Sequence, residues 1–311
     1  MDVLLSAALL IIGLVMLCLG GNWLVSGGIT IAKKFRISNL VIGMTIIAYG
    51  TSAPELAASI AAAGDHSAII LGNIIGSNIA NIGMVVGFAA ILTPLTLRKS
   101  ILRKEIPIML AVSALLILIS IDGEISQYDG ALLLVGLGVF GLYTFRNALK
   151  HREAAEDSTS SGKSNVYLKS AGLIGIGIVI LYIGSILTVD NAVVIATEFG
   201  LSEKIIGLTV IAIGTSLPEL ITSIIAIRKG HTDIGIGNII GSNIYNVLMI
   251  MGVGASLGGI LITTDVYVDY AIMIIFGLSL LIGFKTQIIN RTMGIILTTG
   301  YVLYLLTTFL K

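Results

Sequence analysis

The chain alternates between long apolar stretches and short polar clusters. Apolar runs of about 20 residues recur along its length, and each can cross the hydrocarbon core of a bilayer, about 30 Å thick, as a helix. Dividing the chain at the polar clusters predicts ten membrane helices, at 3–32, 38–63, 70–97, 104–120 and 126–146 in the first half, and at 167–198, 202–227, 234–263, 267–284 and 291–309 in the second. The pattern therefore predicts an all-α integral membrane protein.

The composition supports this interpretation. Of the 311 residues, 56% are hydrophobic and 11% are charged, and the mean hydropathy is +1.04. A soluble domain carries roughly 25% charged residues. The single cysteine, Cys18, cannot form an intrachain disulfide, and the three histidines lie too far apart in sequence for a zinc site. We expect no enzymatic activity, no cofactor and no nucleic-acid partner.

The basic residues predict an orientation in the membrane. With ten spans, the connections alternate between two sides, and all of the 18 Lys and Arg residues except Lys204 and Lys311 fall on one side. Basic connections face the cytoplasm. We therefore expect a multi-pass protein of the cytoplasmic membrane with both termini extracellular.

One apolar segment that contains a glutamate occurs twice. Residues 43–59 read GMTIIAYGTSAPELAAS and residues 207–223 read GLTVIAIGTSLPELITS, with eleven of seventeen positions identical. A carboxylate at membrane depth is costly and usually marks function. Two carboxylates at matched positions, Glu55 and Glu219, indicate a single site built from both halves.

The two halves match beyond this segment. Gly13, Gly20 and Phe35 align with Gly177, Gly184 and Phe199 at the same spacing. Because each half has five predicted helices, an odd number, the second half must enter the membrane in the opposite direction, which is the inverted-repeat plan of many secondary transporters. The predicted organisation is a first repeat at 1–146, a short cytoplasmic linker at 147–166 and a second, inverted repeat at 167–311.

Each copy of the segment also carries a proline inside a predicted helix. Proline removes one backbone hydrogen bond and clashes with the carbonyl four residues back. Pro54 and Pro218 therefore predict breaks in the second and seventh helices. We expect the carbonyls around Ala48 and Ala212 to be incompletely used by the helix, which is tolerated at this depth where the backbone lines a cavity.

The polar side chains around the breaks are oxygen ligands, namely Thr51, Ser52, Glu55, Thr215, Ser216 and Glu219. Such a set suits hard cations such as Ca²⁺ and argues against copper or zinc. A second duplicated motif, GNIIGSNIAN at 72–81 and GNIIGSNIYN at 237–246, places further oxygens on one helix face in each half, at Asn73, Ser77 and Asn81 and at Asn238, Ser242 and Asn246. We expect these polar faces to turn towards the two breaks.

Other functions remain open from the residues alone. A cation channel is one, although channel filters usually form on an axis between subunits. A membrane scaffold packed through glycine and asparagine is another, but it leaves the two glutamates unexplained.

The paired GTSAPE and GTSLPE motifs, each followed by GNIIGSN, resemble the two repeats of the sodium/calcium exchanger family, within the calcium/cation antiporter superfamily. The resemblance covers essentially the whole chain and is closest to the prokaryotic type. It implies that Glu55 and Glu219 bind Ca²⁺. It also implies a set of further Ca²⁺ and Na⁺ ligands, comprising Ala48, Thr51, Ser52, Ser77, Asn81, Ala212, Thr215, Ser216, Ser242 and Asn246.

The resemblance also implies a function: electrogenic exchange of Na⁺ for Ca²⁺ by alternating access, with a monomer in the lipid bilayer sufficient. Some relatives, including a potassium-dependent branch, carry aspartate at a position matching Asn81 or Asn246, so the asparagines here favour potassium-independent exchange. A Ca²⁺/H⁺ antiporter is the alternative. The Thr-Ser pair before each glutamate favours sodium, because the proton-coupled branch typically has an asparagine-containing motif there. The long first and sixth helices resemble the family's sliding gate helices.

Overall fold

The computed structural model describes residues 3–61, 63, 67–153, 165–200, 212–262 and 266–309. The helices are α1 (Val3–Phe35), α2 (Asn39–Thr51), α3 (Ala53–Ala61), α4 (Ser67–Leu92), α5 (a turn of π-helix at Ile101–Glu105 that continues as Ile106–Ile119), α6 (Gln127–Glu153), α7 (Asn165–Glu198), α8 (Ala212–Thr215), α9 (Leu217–Arg228), α10 (Thr232–Gly258), α11 (Val266–Phe284) and α12 (Arg291–Phe309).

Membrane-spanning helices dominate the described part of the chain. There, six helices are long and apolar enough to cross a bilayer: α1, α4, α6, α7, α10 and α11. The pair α2–α3, bent by 42°, adds a seventh span if it is counted as one broken helix. The prediction of an all-α membrane protein is confirmed. Residues 202–211 of the predicted seventh helix and 154–164 of the predicted linker lie outside the described residues. The described linker ends are helical, since α6 continues to Glu153 and α7 begins at Asn165.

Four short strands, each of two residues, lie in the connections between helices and pair with one another. Strand β1 (Leu95–Thr96) pairs antiparallel with β4 (Ile288–Ile289), and β2 (Glu124–Ile125) pairs antiparallel with β3 (Ile260–Leu261). Since α5 runs between β1 and β2, the two ribbons lie at opposite ends of that helix. The sequence pattern predicted helix to 97 and 263, but α4 ends at Leu92 and α10 at Gly258, because the chain there extends to form these ribbons.

At two positions, the matching residues of both halves have left-handed backbone. Arg36 (φ 54°) and Gly200 (φ 77°) follow α1 and α7, while Gly123 (φ 92°) and Gln287 (φ 55°) precede β2 and β4. Both pairs are separated by the 164 residues that separate Glu55 from Glu219. Only one member of each pair is glycine, so the duplication of these turns is not visible in the residue types.

Helices α10 and α4 form the centre of the protein. The most apolar windows of these helices are 94% and 78% buried, against 22% for α1. The main apolar cluster joins them to α5 and α11, with Ile79, Ile244 and Tyr270 among its buried members. The glutamate-bearing segments α3 and α9 contact the same centre.

The long helices α1 and α7 pack on each other through glycines. A Cβ atom on Gly20 would lie 2.8 Å from the carbonyl oxygen of Gly177, and one on Gly177 would lie 3.0 Å from the carbonyl oxygen of Gly20. Gly13 and Gly184 meet in the same way one heptad further along. Backbone therefore contacts backbone along this pair, the close approach that small residues permit in membrane helices.

We predict that Gly177→Ala destabilises the protein by about 1–3 kcal/mol, the usual cost of overpacking. The added Cβ meets backbone atoms of Leu24 at 2.8 Å and Gly20 at 3.0 Å, so α1 and α7 must separate. Thermal unfolding in detergent measures the effect. Gly175→Ala on the same helix is the control, because nothing lies within 4 Å of its Cβ. Equal unfolding midpoints for the two variants would contradict this packing.

Candidate cation site

Both predicted helix breaks are present, and both occur at a serine. Ser52 separates α2 from α3 and Ser216 separates α8 from α9, with backbone angles of −83°, 9° and −87°, 0°. These values lie in the sparsely populated bridge region, where many active-site residues are found. The helix restarts at the same residue in both halves, since the amides of Leu56 and Leu220 donate to the carbonyls of Ser52 and Ser216.

The carbonyl of Ala48 differs from expectation. It accepts the amide of Ser52 at 3.0 Å and the hydroxyl of Thr51 at 3.2 Å, so the break leaves this carbonyl bonded. The reason is that Pro54 lies beyond the break, and the amide of Ser52 is still available. In the other half, the amide of Ser216 donates to the carbonyl of Ile213, three residues back, at 3.1 Å.

The two glutamates lie in the first turn of the helices that follow the breaks. Glu55 in α3 and Glu219 in α9 are each 1% exposed, and the Glu55 carboxyl is near enough to feel the charge of Glu219. A helix N-terminus favours negative charge through its unpaired amides and dipole. The breaks therefore place both carboxylates at helix starts inside the protein.

Hydroxyl groups from both halves converge on Glu219. Ser52 donates to its Oε1 at 3.1 Å, and Ser242 donates to the same oxygen at 3.3 Å. The single hydroxyl proton of Thr51 is shared between the Ala48 carbonyl and Oδ1 of Asn238, which lies at 3.1 Å, and the hydroxyl of Ser242 is 3.5 Å away. The structure thus brings Thr51, Ser52, Glu219 and Ser242 into one buried network.

The first asparagine of each GNIIGSN motif forms hydrogen bonds with the helix that carries a glutamate. Asn73 Nδ2 donates to the backbone carbonyl of Glu55 at 3.3 Å and to the Ser59 hydroxyl at 3.2 Å. Asn238 Nδ2 donates to the Glu219 carbonyl at 3.5 Å and to the Ser223 hydroxyl at 3.0 Å. The polar faces of α4 and α10 therefore do turn towards the breaks, as the spacing predicted.

Asn78 and Asn243, which the sequence analysis did not predict as site residues, form hydrogen bonds with the predicted ligands Asn246 and Asn81. Asn81 Nδ2 donates to Oδ1 of Asn243 at 3.0 Å, and Asn246 Nδ2 donates to Oδ1 of Asn78 at 3.0 Å. Each bond joins one half of the chain to the other. Their only sequence signal is that Asn78 and Asn243 recur at the same place in the two motifs.

The helices change geometry where these asparagines lie. Turns of π-helix begin at Asn81, in α4, and at Asn246, in α10. A π-helical turn is rare and is frequent at functional sites. Because it inserts one residue per turn, it re-aims the side chains around it, and the 3.6-residue period of the sequence does not predict it.

Six oxygens of the predicted site residues are buried without a hydrogen-bond partner in the described part of the chain. They are Oε2 of Glu55 and Glu219, Oγ of Ser77 and Ser216, and Oδ1 of Asn81 and Asn246. Most buried polar atoms in proteins are paired, and an unpaired one costs about 1–3 kcal/mol. Among the described residues no group of three or more His, Cys, Asp or Glu could hold a metal, so the site offers two carboxylates and neutral oxygens, a set suited to a hard cation.

Comparison with known proteins identifies the family. The family described as "Sodium/calcium exchanger protein" matches residues 5–146 and again 169–310. The chain belongs to the sodium/calcium exchanger family. The chain is 36% identical to the inner membrane protein YrbG of Escherichia coli (strain K12), across 97% of this chain and 96% of that protein. It is 32% identical to the sodium/calcium exchanger MaX1 of Methanosarcina acetivorans, across 97% of each chain.

A solved structure of the family has the same fold. The sodium-calcium exchanger NCX_Mj, soaked with Na⁺ and Sr²⁺, superposes with a TM-score of 0.85 at 34% identity, covering 97% of this chain and 98% of the other. The resemblance to prokaryotic members of the family is therefore confirmed, and the chain is a multi-pass membrane protein.

We predict that the Asn81–Asn243 bond stabilises the protein. Asn243→Ala leaves the buried amide of Asn81 without an acceptor, at a cost of about 1–3 kcal/mol. A double-mutant cycle with Asn81→Ala, measured by unfolding in detergent, is expected to give a coupling energy of about 0.5–3 kcal/mol. Asn39→Ala, which removes a half-buried bond to His231 away from the glutamates, is expected to add independently to either variant. Additive effects of Asn81→Ala and Asn243→Ala would refute the coupling.

Proposed function

We propose that the protein exchanges Na⁺ for Ca²⁺ across the cytoplasmic membrane. The observation that carries this proposal is the set of six buried, unpaired oxygens around two neighbouring glutamates. Among the described residues, neither glutamate has a basic partner, and the salt bridge that is present joins Arg98 and Asp233 elsewhere. A divalent cation would neutralise two carboxylates.

The proposed ligands come from both breaks and from both GNIIGSN motifs. Glu55 and Glu219 supply the charge, and neutral oxygens complete the coordination, from Ala48, Thr51, Ser52, Ser77, Asn81, Ala212, Thr215, Ser216, Ser242 and Asn246. The bonds from Asn243 and Asn78 support this set, because each engages the amide nitrogen of Asn81 or Asn246 and leaves its carbonyl oxygen unpaired. Ca²⁺ takes six to eight such oxygens.

Sodium is the proposed counter-ion because it competes for the same hard oxygens. Loading with several Na⁺ then expels Ca²⁺, and no change in glutamate protonation is needed. MaX1 and NCX_Mj, both named sodium/calcium exchangers, match nearly the whole chain. The sodium/potassium/calcium exchanger 2 of Homo sapiens matches 46% of this chain at 29% identity, and the neutral Asn81 and Asn246 favour exchange without potassium.

A Ca²⁺/H⁺ antiporter is the second candidate, since the two carboxylates could instead release Ca²⁺ by taking up protons.

The proposed architecture is ten membrane helices in two inverted repeats, 1–146 and 167–311, joined by a cytoplasmic linker at 147–166. The two separate matches to one family support the duplication. The ribbons support the inversion. Strand β1 of the first half corresponds to β3 of the second, and β2 corresponds to β4. Each ribbon therefore pairs one strand from each half, and the operation that exchanges the halves turns ribbon β1–β4 into ribbon β2–β3, at the other end of α5. With basic connections inside, both termini lie outside.

The proposed transport cycle is alternating access by one chain. Helices α1 and α7 contact each other through glycine backbone, whereas α4 and α10 are fixed by reciprocal asparagine bonds. We infer that α1 and α7 move together past the fixed site and open it to one side at a time. A monomer contains every proposed ligand and is sufficient for transport.

Proteoliposomes loaded with Na⁺ are expected to take up ⁴⁵Ca²⁺ when diluted into Na⁺-free medium. Electrogenic exchange moves more positive charge out as Na⁺ than enters as Ca²⁺, so an interior-positive potential set with valinomycin and K⁺ is expected to accelerate uptake. Vesicles with a pH gradient alone are the comparison. Uptake that follows the pH gradient and ignores Na⁺ would replace this proposal with Ca²⁺/H⁺ antiport, and uptake without any counter-ion would indicate a channel.

Either Glu55→Gln or Glu219→Gln is expected to abolish Na⁺-dependent Ca²⁺ uptake, because the site then has one charge for a divalent ion. Size-exclusion chromatography checks that each variant is folded. Glu105→Gln is the matched control, since Glu105 is also a buried glutamate, bonded by Tyr143 and outside the proposed ligand set. Normal uptake by either site variant would remove that glutamate from the site.

A further inference from the structure

A separate cavity lies between the start of α5 and the turn that joins α11 to β4. Its volume is about 170 Å³, and it is lined by Lys99, Leu102, Arg103, Phe284, Lys285 and Gln287. None of these residues belongs to the two-glutamate site. The cavity is much larger than the roughly 30 Å³ that one water occupies in the liquid, so it can hold a polar group of several atoms.

The backbone around this cavity is held by hydrogen bonds between its two sides. Ribbon β1–β4 lies next to it, and the amide of Leu97 donates to the carbonyl of Gln287 at 2.7 Å. Gln287 has left-handed backbone, and its own amide donates to the carbonyl of Gly283 at 2.7 Å. The turn that presents Lys285 is thereby fixed relative to the start of α5.

The cavity carries positive charge that its own lining does not oppose. Lys99, Arg103 and Lys285 are cationic, and no carboxylate is among the lining residues that the structure describes. The guanidinium of Arg103 lies 6.0 Å from the ring centroid of Phe284, and the neighbouring Arg98 is already paired with Asp233. Three cations around one cavity repel one another, so an anion there is stabilised.

The surface beside the cations is apolar. Ile282, Phe284 and Ile288 are 70%, 47% and 43% exposed, and α11 is one of the helices able to cross the bilayer. A free phosphate ion makes no favourable contact with an apolar surface, whereas a phospholipid can pack its acyl chains against it. Basic pockets between helix ends are known to bind anionic headgroups.

We propose that this cavity binds the phosphate of an anionic glycerophospholipid, with Lys99, Arg103 and Lys285 around the headgroup and the acyl chains along the end of α11. The proposal depends on the protein's lying in a membrane and not on which ions it exchanges. The negative charge of the lipid would reduce the repulsion among the three cations where α5 and α11 meet, and so stabilise the junction that ribbon β1–β4 closes.

Native mass spectrometry of the full-length protein in detergent tests the proposal, with phosphatidylglycerol and phosphatidylcholine as probes. Wild-type protein is expected to retain phosphatidylglycerol in preference to phosphatidylcholine. The variant K99Q/R103Q/K285Q is expected to bind phosphatidylglycerol at least about tenfold more weakly, with phosphatidylcholine binding unchanged. The control K33Q/K34Q/R36Q removes three charges from the end of α1 and is expected to bind phosphatidylglycerol as wild type does.

Two results would overturn the proposal. One is equal retention of phosphatidylglycerol by wild type and K99Q/R103Q/K285Q. The other is displacement of the bound lipid by millimolar inorganic phosphate, which would make the cavity a site for free phosphate. The variant I282S/I288S separates the two parts of the lipid, since it is expected to weaken long-chain phosphatidylglycerol several-fold and to leave a short-chain, water-soluble form unaffected. Unfolding midpoints close to that of wild type show that the variants are folded.

Discussion

Two carboxylates held together inside an apolar membrane protein are the constraint on which the rest of the structure depends. On insertion scales, a single carboxylate at the bilayer centre costs about 2.5–3.5 kcal/mol, and like charges in contact raise that cost. Glu55 and Glu219 have no basic partner among the described residues, and the groups around them are hydroxyls, amides and helix N-termini. Neutral donors lower the cost of two negative charges without cancelling them. The arrangement therefore favours a cation at this place over any neutral ligand.

The site belongs to both halves of the chain, because each half completes the other. Ser52 of the first half donates to Glu219 of the second, and the asparagine pairs Asn81–Asn243 and Asn246–Asn78 bind in both directions. Neither half alone can orient its own asparagine oxygens. This reciprocity explains why the two motifs are so alike: a change in one copy alters bonds made by the other, and buried polar networks tolerate partial satisfaction poorly.

Much of this arrangement could be predicted from the sequence, because the signals were local. A proline inside a predicted helix indicates a break, and oxygen side chains at matched spacing predict a cation site. The roles of Asn78 and Asn243 could not be predicted, since each acts on the opposite half and lies beside the predicted face of its helix. The π-helical turns at Asn81 and Asn246 change the period from which that face was inferred. The ribbons were missed because two residues are too few to show strand alternation, and the left-handed Arg36 and Gln287 because nothing in their side chains requires that backbone.

The distribution of polar contacts also distinguishes a fixed part of the protein from a part held mainly by packing. Helices α4 and α10 are tied to each other and to the glutamate segments by hydrogen bonds with strict geometry. Sliding one of them would break several buried bonds at once, each costing about 1–3 kcal/mol. Helices α1 and α7 instead meet mainly through Gly13, Gly20, Gly177 and Gly184, whose contacts are dispersive and have no preferred partner atom. Polar contacts occur towards the end of α1, where Lys34 lies over the ring of Tyr167 and Lys229 donates to the hydroxyl of Ser26. A displacement along the glycine surface exchanges one set of backbone contacts for a similar one. The proposed transport cycle, in which α1 and α7 move past a fixed site, depends on this difference in bonding between the two parts.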